Sequence, residues 1–222
     1  FLLTPKNVPA VPASDEKGEK VKIKLPAVGW GLLVMFLCGI IMSQSLFNIG
    51  GATIAAAGIE PVLIGTIFSC FSVGALISAA LFSPVYKYAK GYVIPVFWII
   101  GMVGYVLWYV AHVTGNTVLF FAAIILAGFG TNTMTIGVPM LLSTFVSPAI
   151  VGAVMGFSYV FQNGGGFVAS PIDQLVTSIF GADALMSSVW IFNLVLGVCI
   201  TVVLLFIAKK VNATVKAEEA AE

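Results

Sequence analysis

Uncharged amide and hydroxyl side chains recur at helical spacing inside long apolar segments of this chain. Gln44 and Asn48 are four residues apart and therefore share a helix face, as do Asn132 and Thr135, which are three apart. Polar groups in an apolar medium need hydrogen-bond partners. A shared cavity in which they bind a small solute would supply those partners. The candidates for such binding are Gln44, Asn48, Asn132, Thr135, Tyr159, Gln162 and Asn163.

The same side chains have a second interpretation, as hydrogen bonds that join helices to one another. Such bonds contribute about 0.6 kcal/mol each inside a membrane. This interpretation is favoured for any single serine or threonine, such as Ser69 and Ser72. For the amides both interpretations stay open, because an amide is harder to satisfy in an apolar medium.

Residues suited to catalysis or metal binding are scarce in these segments. The chain has one histidine and three cysteines, which is too few for a conventional zinc site. Asp173 is the only carboxylate inside an apolar segment, and its position near the end of that segment predicts a solvated group at the outer interface. We therefore expect no enzyme activity, no cofactor, no metal site and no buried proton carrier.

The composition indicates a membrane protein. The 222 residues are 60% hydrophobic and 9% charged, with a mean hydropathy of +1.10. Soluble domains carry about 25% charged residues, so a soluble enzyme and a nucleic-acid-binding protein are both excluded. A helix needs roughly 20 apolar residues to cross a bilayer. Six segments meet this requirement and predict an all-α polytopic membrane protein: 27–50, 61–84, 92–113, 117–146, 150–178 and 184–208.

The basic residues predict the orientation of these helices. All ten are lysines, and they lie before the first segment, between the second and third, and after the sixth. Six crossings place these three positions on one side, which the positive-inside rule assigns to the cytoplasm. We expect an integral protein of the plasma membrane (the cell inner membrane) with both termini cytoplasmic. The predicted parts are a cytoplasmic linker at 6–26, a six-helix domain at 27–208 and a cytoplasmic tail at 209–222.

Glycine and proline are concentrated in the fourth and fifth segments. Small residues allow helices to approach closely, and glycine and proline allow a helix to bend. A role in helix packing or gating is predicted for Gly128, Gly130, Pro139, Gly152, Gly156, Gly164, Gly165, Gly166 and Pro171. For each single glycine, static close packing remains the alternative to movement.

The order of these features resembles the C-terminal half of a transporter of the major facilitator superfamily. The local resemblance rests on the Gly128 and Gly130 pair, then Pro139, Pro148 and the glycine-rich fifth segment. The loop at 83–91 departs from the family pattern. It carries Lys87 and Lys90, but it lacks the aspartate and the arginines that the family tends to have there. This departure weakens the gating interaction usually assigned to that loop.

The resemblance implies a full protein of twelve helices in two halves, each half built from two inverted three-helix repeats. Residues 1–5 would end a preceding transmembrane helix, and the missing N-terminal six-helix half would be a partner alongside the lipid bilayer. Substrate would bind between the halves near the midplane, and the halves would rock to give alternating access. The resemblance further implies a secondary transporter, an antiporter or a symporter, with coupling to H+ or to a counter-transported solute left open.

The uncharged polar faces favour a neutral or amphipathic small organic solute. An anion remains an alternative, because a basic residue outside this chain could bind it. The rival architecture is a six-helix channel or a self-dimerising small permease. A selective pore would need a repeated ring of selective groups, and no such motif appears in the sequence.

Overall fold

The computed structural model describes residues 25–146, 150–180 and 185–219, and this part of the chain is helical without any strand. The earlier residues 1–24, which include the predicted helix remnant and nearly all of the predicted linker, lie outside it, as does Pro148. A short 3-10 turn at Lys90–Tyr92 separates the second helix from the third. The helices are α1 Ala27–Ala56, α2 Pro61–Ala89, α3 Val93–Thr114, α4 Thr117–Thr144, α5 Val151–Phe180 and α6 Leu185–Glu219.

Four stretches of the described chain are long and apolar enough to cross a membrane. They are Ala27–Ala56, Pro61–Thr114, Thr117–Thr144 and Ser188–Ala213. The second stretch combines α2 and α3, because the 3-10 turn hardly interrupts the apolar run. α5 is not among the four. Its 30 residues include the Gln162–Asn163 pair and the following glycines, which lower its hydropathy. An apolar helical membrane protein is therefore observed, and six crossings remain a prediction.

Three helices continue at least five residues past their predicted ends. α1 reaches Ala56 rather than residue 50. α2 continues through Pro84 to Ala89, and the chain then breaks at Lys90, which has a positive φ of 48°. α6 continues beyond its apolar run to Glu219, because residues 198–219 contain neither glycine nor proline. This extension brings Asn212 to the α2–α3 turn, where its Oδ1 accepts a hydrogen bond of 2.7 Å from the backbone nitrogen of Gly91.

The helices form two closely packed groups. In one group α4 packs along both α2 and α3, and in the other α1 packs along both α5 and α6. The two groups meet chiefly where α1 contacts α4 and where α3 contacts α6. α1 and α2 are joined by only four residues, 57–60, yet they have few contacts with each other. They diverge from this connection and leave a space between the two groups.

Glycines bring the backbones of α2, α3 and α4 into direct contact. A Cβ atom on Gly130 would lie 2.5 Å from the Cα atom of Gly101 on α3. A Cβ atom on Gly128 would overlap the carbonyl oxygen of Phe71 on α2, and one on Gly74 would overlap that of Ile125. No side chain fits at these positions, so Gly128 and Gly130 lie at points of close helix packing, and a role for them in gating stays a prediction.

The glycines of α5 have more open surroundings. Only Gly165 packs closely, since an added Cβ would lie 2.8 Å from the carbonyl oxygen of Leu37 on α1. Gly164 has ordinary contact with the Leu37 side chain at 3.8 Å. An added Cβ would meet nothing within 4 Å at three further positions, Gly152, Gly156 and Gly166. Pro139 and Pro171 lie inside α4 and α5 respectively.

Candidate solute cavity

A cavity of about 510 Å³ lies between the two helix groups. It is bordered by α1 and α4, by α5, and by one aromatic residue of α2. Its volume is within the usual range for a site that binds a small molecule. The lining residues are Ile40, Ser43, Gln44, Phe47, Phe71, Thr131, Asn132, Thr135, Gln162, Asn163 and Gly166.

Helical spacing places the polar lining on three facing helices. On α4 the face repeats through Thr131, Asn132 and Thr135, and on α1 it repeats through Ser43 and Gln44, followed by Phe47. The lining contains no charged side chain. The site can therefore offer hydrogen bonds from amides and hydroxyls together with an aromatic surface.

The aromatic surface comes from two helices. Phe47 of α1 and Phe71 of α2 meet edge to face, with their ring centroids 5.1 Å apart. Phe47 also contacts Phe68, at 5.3 Å between centroids. These contacts close the gap between the diverging helices α1 and α2 on the apolar side of the cavity. A solute in the cavity would therefore contact rings on one side and amides on the other.

The structure brings together five of the seven predicted binding residues, and two lie elsewhere. The five that line the cavity are Gln44, Asn132, Thr135, Gln162 and Asn163. Tyr159 is 60% exposed and does not line the cavity. Asn48 lies one turn beyond Gln44 and directs its amide nitrogen to Asp173 of α5. Helical spacing alone could not separate these two residues from the other five.

Hydrogen bonding divides the five lining residues. The Asn132 amide nitrogen donates to the Ala75 carbonyl oxygen at 2.8 Å and to Ser78 Oγ at 2.9 Å, so it joins α4 to α2. The Asn163 amide nitrogen donates to the carbonyl oxygen of Tyr159 in its own helix. Gln162 forms no hydrogen bond within the described part of the chain. It is thus the lining amide with both its donor and its acceptor available to a solute.

Two buried hydroxyls lie beneath the cavity without a hydrogen-bond partner of good geometry in the described chain. They belong to Thr131, which is 6% exposed and lines the cavity, and to Tyr105, which is 1% exposed. The Tyr105 hydroxyl lies near the side chains of Ser43 and Thr131. Buried polar atoms in native proteins almost always have a partner. This group is therefore suited to bind water or a polar group of a solute at the cavity floor.

Asp173 is a polar residue that sequence reasoning misplaced. It is 5% exposed rather than solvated at an interface, so that prediction was wrong. Ser45 Oγ donates to Asp173 Oδ1 at 2.6 Å, and Asn48 Nδ2 donates to Asp173 Oδ2 at 3.0 Å. Both donors come from α1, more than 100 residues away in the sequence. The available signal was the three-residue spacing of Ser45 and Asn48, which places two donors on one face of α1.

The comparison with protein families decides the identity of this fold. The model of the Major Facilitator Superfamily matches residues 22–222. The chain belongs to the Major Facilitator Superfamily. Comparison with curated proteins and with solved structures finds no significant match. Members of the superfamily transport small solutes across membranes and are generally not enzymes, and the apolar helices of this chain agree with an integral membrane protein.

Proposed function

We propose that this chain transports a small organic solute by alternating access and that the cavity between α1, α2, α4 and α5 is its part of the solute site. The single observation that carries the proposal is the convergence of uncharged amides from three helices on a cavity of about 510 Å³. An apolar membrane domain gains nothing from such a cavity unless the cavity holds water or a solute. Membership of a superfamily of solute transporters supports the same function.

The solute that we propose is neutral or amphipathic. Its polar part would bind Gln44 and Gln162, which lie on α1 and α5. Its apolar part would pack on Phe47 and Phe71. Since the lining carries no charge, a charged solute would lose its hydration without gaining an ion pair here. A net charge on the solute would have to be balanced by residues outside this chain.

We propose that a second six-helix unit, the N-terminal half of the transporter, covers the open side of this cavity. One observation supports a partner on this side. α5 exposes Phe167 at 83%, next to the cavity-lining Gly166. Lipid covers apolar surface equally well, but it cannot complete a polar site.

The proposed topology has six crossings, both termini in the cytoplasm and two inverted three-helix repeats. The lysine distribution supports it, with Lys87 before the α2–α3 turn and Lys209 and Lys210 near the end of α6. The packing agrees with this arrangement, because Val211 and Asn212 lie against Gly91. All these lysines therefore lie at one end of the bundle, as the positive-inside rule requires of a cytoplasmic face.

The test is solute counterflow with the full-length protein in liposomes, using a panel of neutral, anionic and cationic solutes with and without a pH gradient. Saturable counterflow of a neutral class is the expected result. Gln162→Ala and Gln44→Ala should each raise the half-saturating concentration about fivefold, which corresponds to one hydrogen bond of about 1 kcal/mol. Tyr159→Phe is the matched control and should leave it unchanged.

The same experiment distinguishes the rival architecture. Non-saturable flux would contradict the proposal and favour a six-helix channel. Saturable flux that survives both glutamine substitutions would place the solute outside this cavity. The effect of the pH gradient, and its sign, would separate a symporter from an antiporter or a uniporter.

A further inference from the structure

Three hydroxyl-bearing side chains meet at the floor of the solute cavity, one from each of α1, α3 and α4. Ser43, Tyr105 and Thr131 all lie near the middle of their helices, far from both helix ends. All three are buried, and the Tyr105 hydroxyl lies near the side chains of the other two. A polar group at this depth in a membrane domain costs free energy unless it has a hydrogen-bond partner.

Two of these hydroxyls, Tyr105 Oη and Thr131 Oγ1, have no partner of good geometry in the described chain. The nearby Thr133 hydroxyl is different, because it donates to the Phe129 carbonyl oxygen of its own helix at 2.9 Å. An unpaired buried hydroxyl carries a desolvation penalty that an apolar side chain of the same shape would avoid. The hydroxyls of Tyr105 and Thr131 therefore need an explanation other than packing.

Tyr105 is held in place by α6. Its ring contacts the ring of Trp190, with 6.5 Å between the centroids. Trp190 is itself buried, and its Nε1 donates to Thr53 Oγ1 at 3.4 Å. Among the described residues, none of those that line the cavity comes from α3. Tyr105 can thus act on a solute only through the hydroxyls that lie between it and the cavity.

Ser43 is the member of the three that a solute can reach. It lines the cavity, whereas the oxygens of Tyr105 and Thr131 are enclosed. A phenol is a stronger hydrogen-bond donor than an aliphatic hydroxyl because it is the stronger acid, and it can donate here to Ser43 or Thr131. A Ser43 oxygen that accepts from Tyr105 still offers its own proton and one lone pair to the cavity. A water or a solute hydroxyl can bind it in either direction, while a carbonyl or an ether can only accept.

The aromatic side of the cavity limits the kind of molecule that carries this hydroxyl. Phe47 is four residues beyond Ser43, which is about 6 Å along α1. Phe47 also meets Phe71 edge to face. A solute bound at Ser43 therefore places its apolar part about one helical turn from its hydroxyl. This spacing fits a small alcohol with an apolar group.

We propose that Ser43 binds a hydroxyl group of the solute and that Tyr105, together with Thr131, is a positioning residue that orients Ser43 for this contact. The solute is then an uncharged alcohol with an apolar part. A solute hydroxyl can reproduce the hydrogen bonds of a water that it displaces from Ser43, whereas an analogue without the hydroxyl cannot. This proposal rests on the proposed transport function and names the class of its solute.

The first test uses cysteine labelling and needs no solute. The full-length protein is placed in liposomes with all native cysteines replaced by alanine. Ser43→Cys should then react with methyl methanethiosulfonate, a small neutral thiol reagent. Adding Tyr105→Phe should slow this reaction at least threefold, because the phenol hydroxyl stabilises the reactive thiolate by a hydrogen bond. Gln162→Cys lines the same cavity and is the matched control, whose rate should not respond to Tyr105→Phe.

The labelling results can overturn the assignment in two ways. An unreactive Ser43→Cys beside a reactive Gln162→Cys would show that Ser43 does not face the cavity. A rate at position 43 that is unchanged by Tyr105→Phe would remove the positioning role of Tyr105. Absence of reaction at both cysteines would contradict the cavity itself, and with it both the proposed function and this proposal.

The second test compares two neutral inhibitors of counterflow that differ by one hydroxyl, mandelamide and phenylacetamide. Mandelamide should inhibit at a concentration about tenfold lower, because a site built to bind a hydroxyl discriminates against the analogue that lacks it. Equal inhibition by the two amides, or inhibition by neither, would overturn the solute class and leave the transport function standing. Absence of counterflow in the unmodified protein would contradict the transport function but leave the labelling result intact.

Variants at Tyr105 and Ser43 separate positioning from a structural role. Tyr105→Phe and Ser43→Ala should each abolish the preference for mandelamide. Tyr105→Phe should leave the unfolding temperature in detergent unchanged or higher, since its unpaired hydroxyl does not stabilise the fold. Tyr109→Phe, one turn further along α3, is the matched control and should keep the preference. A preference that survives Tyr105→Phe, or one that is lost together with a fall in unfolding temperature, would overturn the positioning role.

Discussion

α4 and α5 are both rich in glycine, yet the residue has opposite effects in the two helices. In α4, Gly128 and Gly130 remove side chains at the points where three backbones meet. In α5, Gly156 and Gly166 leave surface uncovered, because nothing lies within 4 Å of an added Cβ. Glycine content therefore does not identify a mobile helix. What matters is whether the absent side chain would overlap another backbone.

The difference gives the cavity two kinds of wall. The α4 wall belongs to the group in which the backbones of α2, α3 and α4 are in contact. A shift of one of these helices against another would bring their backbone atoms into overlap. The α5 wall is held mainly by α1, with Gly165 as its one closely packed glycine. We infer that α5 is the wall that can shift during transport and that α4 is the fixed one.

The largest expected effect is on stability at the α4 wall. Gly128→Ala places a methyl group on the Phe71 carbonyl oxygen and should lower the free energy of unfolding by about 1–3 kcal/mol. Gly156→Ala is the matched control on α5, where the open surroundings should permit no loss or a gain of up to about 1 kcal/mol. Unfolding of both variants in a mild detergent, followed by circular dichroism, measures the difference. Equal shifts for the two would remove the distinction between the walls.

The second largest expected effect is on transport. It compares two open glycine positions of α5, one that lines the cavity and one that does not. Gly166→Leu adds a side chain at a cavity-lining position where an added Cβ would meet nothing within 4 Å. It should reduce counterflow about tenfold or more, because a few extra methylene groups in a fitted site cost 1–3 kcal/mol. Gly152→Leu has equally open surroundings but does not line the cavity, so its counterflow should be normal. Similar losses in both variants would indicate that the α5 surface, rather than the cavity, is being blocked.

The smallest effect concerns the polar contact between α2 and α4. Ser78→Ala removes one of the two acceptors of the Asn132 amide and should cost about 0.6 kcal/mol of stability. Ser158→Ala on α5 removes a hydroxyl that bonds only to Met155 in its own helix, and it should cost less. The same unfolding assay in detergent compares the two. A larger loss of stability for Ser158→Ala than for Ser78→Ala would contradict the inference that α5 is the less tightly packed wall of the cavity.

The helical architecture was predictable because apolar length and charge exclusion are local properties of the sequence. The positions of the helix ends were less predictable than the helical architecture. Pro84 predicted the end of α2, but proline removes only one backbone donor and the helix continues to Ala89. The end of α6 was placed at the end of the apolar run, although alanine, lysine and glutamate extend a helix in water equally well.

The site was predictable to the extent that it depends on helix faces. Spacing by three and four residues correctly grouped Asn132 with Thr135, because both belong to one helix. The role of Asn48 could not be derived in this way. The role of Asn48 depends on its hydrogen bond to Asp173. The contact between α1 and α5 that brings these two residues together is a matter of tertiary packing, which includes the close approach at Gly165. Which amides join helices and which face the cavity is likewise decided by neighbours on other helices.

The hydrogen bond between Asn212 and Gly91 has a practical consequence for anyone who trims or tags this protein. The predicted sixth segment ends at residue 208, which suggests that the chain can be shortened at Ala208. Such a truncation would remove the acceptor for the Gly91 backbone nitrogen and the Val211 side chain that packs on it. The α2–α3 turn would then lose its contacts with α6, although the whole predicted segment 184–208 would still be present. Affinity tags therefore belong after Glu219, where the described helix ends.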